Sequence, residues 1–100
     1  MKILQVVPRR AGKTKLKTLL NAKERELRGG RTTFFRQRAG RWQHKNYSGW
    51  INWDEANGGV VVAEIQSKVS NMEWQLLQSF VGYLDRHLGS KIDSITITYR

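Results

Sequence analysis

Apolar residues recur at helical spacing most clearly between Ser70 and Gly89. Leu76, Leu77, Phe80, Val81, Leu84 and Leu88 follow at steps of one, three and four, which gathers them on one side of a helix. Gln75, Gln78, Ser79, Asp85 and Arg86 fall mostly on the other side. Ser70 and Glu73 have the spacing of a capping box, in which each side chain serves the other's backbone N–H. Gly89 stands where a left-handed residue would end the helix. The pattern predicts a long amphipathic helix over about 70–88, with Gly82 costing it about 1 kcal/mol relative to Ala.

A second helical stripe, Leu16, Leu19, Leu20 and Leu27, predicts a helix over Thr14–Arg28 that stops at Gly29-Gly30. Between and around the helices the pattern changes to strands. Met1–Val7 reads as a short strand stopped by Pro8, or as an arm. Thr32–Arg38 and Arg41–Tyr47 read as a hairpin with a tight turn at Ala39-Gly40. Ser48-Gly49 is a bend or bulge, Trp50–Asp54 another strand, and Glu55–Gly59 a turn cornered at Asn57-Gly58. Val60–Gln66 carries three valines in a row and reads as a central strand covered on both faces at that end. Ile92–Tyr99 alternates cleanly, with Ile95, Ile97 and Tyr99 set inward and Ser94, Thr96 and Thr98 outward. The order is β-α-β-β-β-β-α-β. It predicts one α+β domain over residues 1–100, a small mostly antiparallel sheet with the 70–88 helix packed on one face.

Charge changes the picture more than length does. The chain of 100 residues carries a net charge of +10, concentrated at one end. Residues 1–45 hold fourteen Lys or Arg against two acids, Glu24 and Glu26. Residues 46–100 hold four basic against six acidic residues, an acidic-to-neutral half. A half-chain this basic attracts polyanions and speeds their encounter. A solvated surface and an acidic protein partner are the competing readings. There is no cysteine, which removes disulfides, thiolate metal sites and cysteine nucleophiles, and which suits a cytoplasmic protein. The apolar run Ile3–Val7 is too short to span a membrane, so no membrane partner is expected. Gly12-Lys13-Thr14 resembles the end of a phosphate-binding loop, but Val7 stands where that loop needs its first glycine. No cofactor and no metal is indicated, since two histidines and scattered carboxylates give no ligand spacing.

The stretch Arg31–Tyr47 interleaves cations with rings, as surfaces for single-stranded nucleic acid do. Arg31, Arg36, Arg38, Arg41 and Lys45 are the candidate phosphate contacts, with Trp42 or Tyr47 stacking on bases. Lys13, Lys15 and Lys17 on the first helix would extend the footprint. The competing reading puts Phe34, Phe35 and Trp42 in the core. On alternation, Trp42, His44 and Asn46 share one face of their strand, and Arg41, Gln43, Lys45 and Tyr47 the other. Non-catalytic binding of RNA or single-stranded DNA is the function expected. The alternatives are a small ribonuclease or toxin-like enzyme using Glu64 or His44, and a protein-interaction module. The Thr-rich last strand, if it is an edge, could pair with a second copy of the chain.

Overall fold

A computed structural model describes residues 1–9, 15–30 and 32–100. The Gly12-Lys13-Thr14 segment, and with it Lys13, lies outside the described residues, as does Arg31. The element order is β1 (Lys2–Pro8), α1 (Leu16–Leu27), β2 (Phe34–Arg38), β3 (Arg41–His44), β4 (Trp50–Glu55), β5 (Val61–Gln66), α2 (Ser70–Leu88) and β6 (Ile92–Tyr99). This is the expected α+β order. The six strands form one antiparallel sheet in the order β2-β3-β4-β5-β1-β6. β1 is therefore a strand and not an arm, and it sits between β5 and β6.

The cross-strand register fixes which residues share a face. Leu4 pairs with Ala63, Val6 with Val61, Ile51 with Ile65, and Trp42 with Ile51. These side chains are buried and meet Leu76, Leu77, Phe80 and Leu84 of α2 in one core. Leu16 and Leu20 bring α1 into the same core, where it packs against α2 and β2. The side chains on the opposite face of the sheet are half-buried or exposed, among them Ile3, Gln5, Phe35, Arg41, Gln43, Trp50, Asn52, Val62, Glu64, Gln66, Thr96 and Thr98. One face thus makes the core and the other remains open.

Several local expectations are corrected. The α2 N-cap is Val69, whose carbonyl accepts from the N–H groups of Met72 and Glu73. The Glu73 carboxylate has partners at the N-terminal end of β1. It binds Lys2 Nζ at 2.9 Å and the N-terminal ammonium at 3.3 Å. Gly89 is right-handed (φ −53°, ψ −38°), because the chain runs on into a 3-10 turn, Gly89–Lys91, before β6. β3 ends at His44, well short of Tyr47, because His44 Nδ1 accepts from the N–H groups of Asn46 (2.9 Å) and Tyr47 (3.3 Å) and turns the chain. Ile95, Ile97 and Tyr99 do lie on the core side of β6, but Ile97 is 37% and Tyr99 65% exposed: β6 is the edge, and the core does not extend beneath its outer half. Gly49, by contrast, is required at its bend. It has φ +120°, and a Cβ there would collide with the Gln66 carbonyl and stand 2.7 Å from Leu76 Cδ1.

Candidate nucleic-acid interface

The basic and aromatic residues of 34–50 are sorted by alternation onto two faces. Phe34 and Trp42 point into the core. Trp42 is 0% exposed and packs edge-on against Trp53 (5.7 Å between centroids), Phe80 (6.1 Å) and Tyr83 (5.6 Å). Its ring offers no face to a base, which corrects its assignment as a stacking residue. Tyr47 is half-buried, with its ring 4.5 Å from that of His44.

Phe35, one residue from Phe34, goes the other way and is 41% exposed on the open face. It pairs across to Gln43. The Trp42–Ile51 pairing sets Gln43 next to Trp50, and Trp50 pairs with Gln66. A row Phe35–Gln43–Trp50–Gln66 thus crosses four strands, with a ring on each side of Gln43. Beside it runs a second row, Arg41–Asn52–Glu64–Ile3. The two rows are tied together by the Arg41 guanidinium, which lies 4.6 Å from the centroid of the Trp50 ring. Trp50 and Phe35 are the site residues that sequence reasoning missed. Their signal was present in the alternation: Arg41 and Gln43 were set opposite Trp42, and their cross-strand neighbours follow once the strand order is known.

The remaining cations differ in how far they are engaged. Lys15 Nζ is 3.9 Å from Glu55, and Lys17 Nζ 3.5 Å from Asp54. Arg36, Arg38 and Lys45 are exposed, and among the described residues their side chains have no ion-pair partner. Arg36 also marks the sheet edge. Its backbone N–H donates to Glu24 Oε2 at 3.3 Å, and the buried Glu24 carboxylate is held in turn by Arg28. The Arg28 hydrogen bond keeps Glu24 below the ordinary carboxylate range, against the opposing effect of burial.

A groove of about 650 Å³ lies where the polar side of α1 meets the hairpin tip and strands β4 and β5. Lys17, Arg25 and Arg36 line it together with Asn52, Asp54 and Glu64. His44 does not join Glu64 there. It lies on the core face, 7% exposed, and burial lowers its pKa. With Nδ1 accepting from backbone N–H groups, it is a neutral structural residue, and the two groups expected to combine in a ribonuclease lie on opposite faces. Among the described residues no three of His, Asp or Glu gather as metal ligands, and no helix is long and apolar enough to cross a membrane.

No family model matches the chain, and neither a curated protein nor a solved structure matches it closely enough to count as similar.

Proposed function

We propose that this protein binds nucleic acid without cleaving it, and single-stranded RNA or DNA ahead of duplex, on the open face of its sheet. The observation that supports this most is the exposed Phe35 beside the Arg41–Trp50 stack, with Arg38 opposite Arg41 and the exposed Lys45 nearby, neither in an ion pair among the described residues; Arg36, opposite Trp42, adds a cation on the α1 side of the same sheet edge. Rings stack on any base, and cations hold the backbone that joins the bases. A duplex hides its bases and would leave Phe35 unused. Lys15 and Lys17 belong to the footprint only through weak, exposed ion pairs that a phosphate can displace. The site of action proposed is the cytoplasm, in keeping with a chain that has no cysteine. The test is binding of labelled single strands and of the matching duplex to wild type and to Arg36→Ala/Arg38→Ala. Single strands should bind more tightly, and the double variant should weaken them while folding normally. Equal or tighter binding of duplex would reject the reading. Capture of acidic protein with no affinity for either polymer would favour the interaction module.

A second reading concerns assembly. The outer edge of β6 from Ser94 to Tyr99 carries neither charge nor proline, unlike the β2 edge with its arginines and its Glu24 clamp. Its sequence, Ser-Ile-Thr-Ile-Thr, is nearly symmetric about Thr96. Two copies paired antiparallel there would set Ile95 against Ile97 on one face and Ser94 against Thr98 on the other. We infer a homodimer through this edge. Sedimentation should give a dimer for wild type and a monomer for Ile97→Lys; a wild-type monomer at high concentration would reject it.

A further inference from the structure

We propose that the groove beside the hairpin tip holds one guanine nucleotide of the bound strand, selected by the Glu64 carboxylate; this rests on the nucleic-acid reading above. Three carboxylates line the groove, and two are already committed. Glu24 is held by Arg28 and by the Arg36 N–H. Asp54 accepts from the Glu55 N–H at 2.7 Å and faces Lys17. Glu64 alone has neither an ion pair nor a hydrogen bond among the described residues, although Arg25 and Arg36 line the same groove. A carboxylate left open in a basic groove asks for a ligand with two properties: a pair of adjacent donors for its two oxygens, and an anionic end for the arginines.

Among the bases, guanine supplies the donor pair, N1–H beside the N2 amino group. Adenine and cytosine offer an amino group next to a ring acceptor, which would meet the second carboxylate oxygen unfavourably. Uracil offers one N–H between two acceptors. A guanidinium has the same donor pair, but its charge would be repelled by Arg25 and Arg36. The phosphate of a guanine nucleotide is instead attracted by them. Asn52 is directly opposite Glu64 in the sheet, which puts their Cβ atoms within about 4.5–5.5 Å. Its amide N–H is placed to serve guanine O6 while Glu64 takes the two donors. A cavity of about 650 Å³ is large enough for a nucleotide.

The test uses uridine heptamers with one central residue changed to guanosine, inosine, adenosine or cytidine, titrated into the full chain by fluorescence anisotropy. The guanosine heptamer should bind about tenfold more tightly than the uridine one, as one bidentate pair provides. Inosine, which lacks the N2 amino group, should lose most of that preference without any change to the protein. Glu64→Gln replaces one acceptor by a donor that opposes a guanine donor, so it should remove the preference and leave uridine binding in place. Equal binding of all five heptamers, or a guanine preference that survives in Glu64→Gln, would overturn the guanine site and leave the nucleic-acid reading standing. No binding by any heptamer at low salt would overturn both.

Discussion

At the scale of single residues, the hairpin sets two neighbouring rings to different tasks. Trp42 fills the centre of the core, so Trp42→Ala should cost about 3–5 kcal/mol of stability. Phe35 is exposed, and Phe35→Ala should change stability by less than about 0.5 kcal/mol. The same change should weaken binding of a single strand by about 1–3 kcal/mol, the usual worth of a stacked base. Urea melts and anisotropy titrations of the two variants check both halves; a Phe35→Ala variant that unfolds would make the ring structural. His44 gives a prediction in pH. Burial lowers its folded pKa, so the unfolded chain binds the proton more readily, and stability should fall as pH drops below about 6.5. His44→Asn keeps an acceptor for the Asn46 N–H and removes the titration, so melts between pH 7 and 5 should lose much of their slope. Alternation along the strand made the split between Trp42 and Arg41 legible. It did not say which side was core, because that depends on where α2 lies, and α2 is nearly thirty residues further on. The Phe34–Phe35 pair was unreadable for the same reason.

At the scale of elements, α2, β5 and β6 were legible because their signals are local: an apolar stripe, a valine run, a clean alternation. The ends were less legible, because they are set by single contacts from elsewhere. His44 turns the chain after β3, Lys2 of β1 engages Glu73 in the first turn of α2, and a 3-10 turn takes up Gly89. Gly82 is now explained as unconstrained. A Cβ there meets nothing within 4 Å, so Gly82→Ala should stabilise the protein by about 1 kcal/mol, measured as a shift in the urea midpoint. The α1–β2 junction should respond in the opposite direction. Glu24→Gln removes the charge that Arg28 holds and weakens the acceptor for the edge N–H of Arg36, so it should cost about 1–3 kcal/mol. The acid limb follows from the same contact. Glu24 and Glu73 both ionise below the ordinary carboxylate range: Glu24 through Arg28, and Glu73 because Lys2 and the N-terminal ammonium outweigh its burial. Their contribution is complete at neutral pH and is lost as pH falls below about 4.5. Acid melts of wild type and Glu24→Gln should therefore converge as the pH is lowered.

At the scale of the molecule, charge and topology together define the proposed interface. The charge asymmetry could be counted from the chain. The strand order could not, and it is the order β2-β3-β4-β5 that aligns Phe35 with Trp50 and Arg41 with Asn52 and Glu64. The separation of Glu64 from His44 was equally hidden, since it depends on register and not on spacing. The measurement that tests the central claim most directly is the affinity for a labelled single strand as a function of salt. Each neutralised phosphate contributes about −0.7 to the log–log slope for single strands, so contacts from Arg36, Arg38, Arg41 and Lys45 predict a slope of about −3. A slope of that size, made shallower in Arg36→Ala/Arg38→Ala, is the expected result. A flat response, or no binding at low salt, would contradict the account and leave the basic half of the chain as a solvated surface.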